Sequence, residues 1–157
     1  EICAEPVRAA LEALMLKTAP GFHVFRAMAI RNPMLLERFE RARESLRSGK
    51  ITTTTAETVK NWAEQTALHP FAEFDPSVNE FPLWHATPSV DGAGGICNTG
   101  FDISFAGTTW GSVFGPGFYF ADKFSTSHSY AKEWGVNEDF CNLRIIMLCR
   151  VLCGNIL

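Results

Sequence analysis

Apolar positions recur at helical spacing near the start of the chain. Val7, Leu11, Leu14 and Met15 share one side of a helix expected over Glu5 to Leu16, which Pro20 and Gly21 then break. The stretch FHVFRAMAI, residues 22–30, mixes apolar and β-prone residues and reads as a strand. Asn32 followed by Pro33 supplies an N-cap and a first-position proline. The helix that follows carries Leu35, Leu36, Phe39, Ala42 and Leu46 on its spacing, and Ser48-Gly49-Lys50 stops it.

The polar run Thr52 to Thr55 reads as a surface loop, and Thr55 can cap a helix through Leu68 that turns Val59, Trp62, Ala63 and Thr66 inward. Pro70, Pro76 and Pro82 keep the next stretch irregular up to a short strand at LWHA. A brief helix near Gly94–Asn98 is expected to end at Gly100 as a left-handed cap. Glycine-punctuated loop then leads to a strand at GFYFA, a helix from about Ser125, and a strong strand at LRIIMLCRVL, residues 143–152. No internal repeat is present. Helices early and short strands late predict an α+β domain rather than a wound α/β sheet.

The bulk composition narrows this picture. With 157 residues, 46% hydrophobic and 20% charged, the chain fits one globular domain with a real core. No apolar run is long enough for a bilayer, and no secretory leader opens the chain. Beginning at Glu1 rather than Met, it reads as cut from something larger. The formal charge of -3 gives no support to binding along nucleic-acid phosphates, although a local basic groove stays open. Arg31, Arg38, Arg41, Arg43 and Arg47 alternate with Glu37, Glu40 and Glu44, which reads as a solvated, salt-bridged helix face, a binding patch being the alternative. Cys3, Cys97, Cys141, Cys149 and Cys153 are odd in number and lack Cys-x-x-Cys spacing, as thiols in a reducing compartment would; a zinc site is the alternative.

Taken singly, the residues with chemistry are weak signals. His85, between Trp84 and Ala86, fits a half-buried histidine satisfied by backbone. Gly115-Pro116-Gly117 makes a tight turn without the pattern of a phosphate loop. Ser125, Ser127 and Ser129 serve equally as helix-start hydroxyls. Yet the only two tyrosines, Tyr119 and Tyr130, fall in one stretch with them, FGPGFYFADKFSTSHSY.

In order and spacing these elements resemble the catalytic domain of the poly(ADP-ribose) polymerase family, the diphtheria-toxin-like ADP-ribosyltransferases. LWHAT is similar to the family's Leu-x-His-Gly-Thr/Ser strand, GICNTGFD to its turn ending in Gly-Phe, and FGPGFYFADKFSTSHSY to its long Gly-x-Gly to Tyr motif. FHVFRAMAIRNPMLLERFERAR resembles the strand and helix upstream, and IIMLCRVLCGN the strand downstream. The resemblance covers residues 22–157, with residues 1–21 as a leading helix to the same single domain. It implies an ADP-ribosyltransferase fold, with split antiparallel or mixed sheets and flanking helices.

The resemblance also implies NAD+ as substrate, with no metal. Tyr130 would stack on the nicotinamide, a flat cation suited to an aromatic face, and Tyr119 would form the opposite wall. Ser127 would bond the carboxamide, and the backbone N–H and C=O at Ala86 would hold the same amide. His85 would bond a ribose hydroxyl of the adenosine half. Thr87, Gly117, Phe120 and Ala121 complete the NAD+-contacting set, and His85 and Tyr119 take the catalytic positions.

The implied reaction is loss of nicotinamide through an oxocarbenium-like transition state and transfer of ADP-ribose to an acceptor, with protein favoured and nucleic acid left open. A catalytically inactive module that binds NAD+ or a partner is the alternative. Two departures bear on the choice. Ala86 stands where the family has glycine, and the third catalytic position is expected beyond Leu157. The expected location is intracellular, nuclear or cytoplasmic.

Overall fold

The computed structural model describes residues 1–52, 74–105, 115–133 and 143–156. Within them the chain forms α1 (Glu5–Leu16), α2 (Pro33–Arg47), β1 (Glu80–Ala86), α3 (Val90–Thr99), α4 (Phe124–His128) and β2 (Ile146–Leu152). The expected helix from Thr55 to Leu68 lies outside the described residues. The domain is α+β, and its strands β1 and β2 pair antiparallel from Glu80↔Leu152 to Ala86↔Ile146. Split sheets were expected; among the described residues there is this one sheet.

Trp84 organises the core. Its indole meets Phe124 of α4 edge-on at 5.3 Å and is buried with Leu14, Met15 and Ala19 at the end of α1. Removing about 150–250 Å² of aromatic surface from water stabilises by about 4–6 kcal/mol. One side chain from β1 thereby fixes both α1 and α4 against the sheet.

Two expected strands are not strands. Residues 22–30 make an isolated bridge, Met28 to Ile2, flanked by Cys3 N–H to Ala27 carbonyl at 3.0 Å and Ala29 N–H to Glu1 carbonyl at 2.8 Å. A mix of apolar and β-prone residues shows a segment able to pair, but a ladder needs a partner along its length, and here the partner is the first few residues. Met28 and Ile30 stay 57% and 54% exposed. Residues 117–121 likewise reduce to a single bridge, Ala121 to Trp84. The strand expected over residues 143–152 is shorter than read: β2 begins at Ile146.

Asn32 joins two helices. Its side-chain oxygen accepts from Leu35 N–H to cap α2, and its amide donates to the carbonyls of Cys97 and Asn98 at 3.2 and 2.8 Å, in the last turn of α3. Arg38 donates to the Thr99 carbonyl beside them. Helix α3 starts earlier than expected because Ser89 caps it, accepting from Gly92 N–H at 2.8 Å. It ends at Gly100 with φ 88° and ψ -175°, so the expected left-handed cap has positive φ but an extended ψ that favours glycine.

The charged face of α2 is only partly solvated. Arg41 pairs with Glu37, as expected at helical spacing, but Arg47 reaches Asp75 at 2.6 Å and Arg43 reaches Glu80 at 3.4 Å. The Glu80 carboxylate is fully buried and also bound by Arg150 of β2 at 2.6 Å, while the Arg150 guanidinium lies over Phe39. These ionic contacts anchor the first residue of β1. Asn79, just before it, is buried with φ 52° and ψ 50°, and its amide donates to the carbonyls of Thr52 and Gly154.

Candidate functional site

Strand β1 has two edges, and their use sets up the site. In an antiparallel ladder successive residues direct their backbone N–H and C=O to alternate edges. Trp84 exchanges both bonds with Ala121, at 2.8 and 2.9 Å, so Pro82, Trp84 and Ala86 aim away from β2. Pro82, opposite Arg150, therefore removes no bond from the β1–β2 ladder. In that register the next pair along the open edge would be Ala86 with Tyr119.

That pair does not form. The imidazole Nδ1–H of His85 donates to the Tyr119 carbonyl at 2.8 Å. A carbonyl can only accept, so Nδ1 carries the proton and the neutral ring keeps its lone pair on Nε2. The ladder stops at Trp84–Ala121, and Ala86 presents a backbone donor and acceptor side by side at the end of the strand. Asn79 is the one non-glycine residue with positive φ among those described, so Ala86 holds its extended backbone without strain.

His85 sits in an aromatic frame. Its ring meets Phe101 edge-on at 4.9 Å and Phe120 at 5.4 Å, and Phe101 in turn meets Phe118 at 5.0 Å. Burial holds the His85 pKa below the ordinary histidine range, partly offset by the bond to the Tyr119 carbonyl. The ring is neutral at pH 7.

Ser127 lies on the far side of Trp84. Only 5% exposed, it donates its hydroxyl to the Trp84 carbonyl at 2.9 Å, the same oxygen that accepts from Ala121 N–H. Its proton thus ties α4 to β1, and its own oxygen lone pairs remain as acceptors. Tyr130 closes the same turn through a bond from its N–H to the Ser127 carbonyl. Tyr130 is 51% exposed; Tyr119 is 39% exposed, with its hydroxyl donating to the Gly115 carbonyl at 2.6 Å. Gly115 takes φ 90°, as the tight turn requires, and no described residue lies within 4 Å of where a side chain on Gly117 would begin.

The structure therefore links His85 to Tyr119, packs Phe120 on His85, and joins Ala121 and Ser127 through Trp84. Thr87 stands apart from that group. Its hydroxyl lies 2.7 Å from where a Cβ on Gly92 would be, and it opens a neighbouring cleft of about 310 Å³ between Ser89 and Asp91 on one side and Lys132 and Glu133 on the other. Phe101 was read only as part of a turn, although an aromatic directly after a helix-ending glycine marks a residue carried onto the sheet. Asn79 went unread as well; asparagine's tolerance of left-handed backbone was its signal.

Among the described residues no cluster of three or more His, Cys, Asp or Glu side chains is placed to hold a metal. Cys3, Cys97, Cys149 and Cys153 are free thiols, and burial pushes Cys149 up to about 12, which leaves it protonated. No helix among the described residues is long and apolar enough to cross a membrane.

The site is framed by an α+β domain with a strand edge left open beside a half-buried histidine. The particular family follows from comparison with known proteins: the family model of the poly(ADP-ribose) polymerase catalytic domain matches residues 7–157. The chain belongs to that family, whose general activity is ADP-ribosyl transfer from NAD+.

Proposed function

We propose that the open edge at Ala86 receives the carboxamide of NAD+ and that the domain transfers ADP-ribose to a protein acceptor inside the cell. The observation that carries this reading is the Ala86 backbone pair left free by the His85–Tyr119 bond. A primary carboxamide offers one carbonyl and one N–H in the matching arrangement, so it completes the interrupted ladder. The pyridinium ring then lies between the exposed faces of Tyr119 and Tyr130, where a flat cation is stabilised by about 0.5–2 kcal/mol. The Ser127 oxygen accepts from the carboxamide as it stands, or donates after turning its hydroxyl from Trp84. Nε2 of His85 accepts from a ribose hydroxyl.

Cleavage of the glycosidic bond releases neutral nicotinamide, its electron pair returning to the ring nitrogen. The acceptor's nucleophile attacks the oxocarbenium-like carbon and loses its proton to solvent or base. The chain's residues supply orientation, which can take about 7–11 kcal/mol from such a barrier.

A second reading is a module that binds NAD+ without turnover. It is favoured by one observation: among the described residues no carboxylate hydrogen-bonds to His85 or Ser127, whose partners are the Tyr119 and Trp84 carbonyls. Calorimetry with benzamide, together with assay of nicotinamide release from NAD+, separates the readings. Binding with release supports the transferase, binding without release the second reading, and absence of both sinks each.

A further inference from the structure

Beneath the Ser127–Tyr130 turn lies a cluster that carboxamide binding does not use. Arg144, on the segment leading into β2, places Nη1 3.3 Å from His128 Nδ1 and donates to the His128 carbonyl at 3.2 Å. Its Nη2 pairs with Glu133 at 2.8 Å. A guanidinium only donates, so His128 Nδ1 is the acceptor and the neutral ring carries its proton on Nε2. Among the described residues that Nε2 is buried without a hydrogen-bond partner, in a ring flanked by Phe22 at 4.3 Å and Phe124 at 5.7 Å.

Such a site is stable in one protonation state only. A second proton must land on Nδ1, which abolishes the bond from Arg144 and sets two cations against each other at 3.3 Å. Among the described residues, the charged groups in contact are Arg144 from the β2 side and Glu133 from the stretch after α4; Phe22 and Phe124 are uncharged. Burial and the Arg144 charge hold His128 below the ordinary histidine range, and Glu133 pulls more weakly the other way.

We propose that His128 and Arg144 form a proton-sensitive clamp on the Ser127–Tyr130 turn, closed while His128 is neutral and released when it is protonated. The turn depends on this contact because Arg144 also holds the His128 carbonyl, which accepts from Ala131 N–H at 3.2 Å. Ser127 and Tyr130 flank His128 on either side, so release loosens both. The effect on ligand binding rests on the carboxamide reading above; the clamp itself does not.

The test is a 15N NMR titration of the 157-residue chain without ligand, wild type and His128→Asn. Asparagine keeps an acceptor near the Nδ1 position and does not titrate. The expected result is an Nε2–H tautomer for His128 at pH 7.5 and a midpoint below the ordinary value of about 6.5. The Tyr130 and Ala131 amides should shift with that midpoint in wild type and stay fixed in the variant. An Nδ1–H tautomer, or amides indifferent to the His128 midpoint, overturns the clamp. In a separate arm, benzamide affinity should fall by about fivefold on protonation in wild type and by less than about twofold in His128→Asn. Equal losses in both proteins would overturn the coupling to binding. If benzamide fails to bind at any pH, the carboxamide reading fails, and the NMR arm still decides the clamp.

Discussion

His85 takes the Tyr119 carbonyl that the backbone of Ala86 would otherwise use. The 2.8 Å bond from Nδ1 ends the pairing at Trp84–Ala121 and leaves the strand edge open at Ala86. His85→Ala removes the donor and lets Ala86 pair with Tyr119. The fold should lose about 2–4 kcal/mol, the hydrogen bond together with the ring contacts to Phe101 and Phe120. Benzamide binding should drop by at least about tenfold. Urea unfolding and calorimetry on the same sample check both; unchanged binding would show that the edge does not depend on His85.

Ala86 provides a complementary pair of variants. Its backbone is extended without positive φ, so Ala86→Gly relieves no strain and should cost about 0.5–1 kcal/mol through chain entropy. Ala86→Pro deletes the N–H from an edge that β2 does not use, as Pro82 already does two residues earlier. It should keep the β1–β2 ladder, seen in the cross-strand NMR contacts, and lose benzamide binding by about tenfold.

Stability should depend on pH through His85. The folded ring binds its proton less tightly than an unfolded histidine of about 6.5. The unfolded chain therefore takes up more protons as pH falls through 6.5, and stability declines until the depressed folded value is passed. Above 6.5 the contribution is complete. His128 acts in the same direction, so the His85 share is the difference between His128→Asn and the double variant His128→Asn/His85→Phe in thermal unfolding at pH 7.5 and 5.5. A slope of the opposite sign would contradict the burial assigned to His85.

Glu80 anchors the strand that carries the site. Its buried carboxylate is held by Arg150 at 2.6 Å and Arg43 at 3.4 Å, and accepts from Asp75 N–H. Glu80→Gln takes the buried carboxylate from Arg150 and Arg43, which keep Glu40 as their remaining acidic partner, and should destabilise by about 3 kcal/mol in urea unfolding. A cost below about 1 kcal/mol would place this network with ordinary surface pairs.

What the sequence made legible was local. Helix α1 fell on its expected residues because apolar spacing and proline punctuation act within a few positions, and Asn32-Pro33 announced α2 by chemistry confined to one turn. Even His85 as a half-buried histidine satisfied by backbone proved correct, with Tyr119 as the partner. The stretches at 22–30 and 117–121 failed as strands because β-propensity says which segments can pair, while pairing itself depends on distant residues. In the second case an imidazole had taken the carbonyl. The same reason hides the site's origin: the family motif marks its residues, but the freed Ala86 edge exists only once β1, β2 and Tyr119 are assembled. Arg43 and Arg47 looked like a solvated face for want of knowing that Glu80 and Asp75 lay opposite.

The most direct measurement is the 1H–15N NMR signal of the Ala86 amide during titration with benzamide. A carboxamide that completes the ladder should move this amide downfield and protect it from solvent exchange, with the Trp84 amide unchanged. If benzamide binds while the Ala86 amide stays fixed, and shifts appear instead at Thr87–Asp91 and Lys132, the ligand occupies the neighbouring cleft and the open edge is not its site.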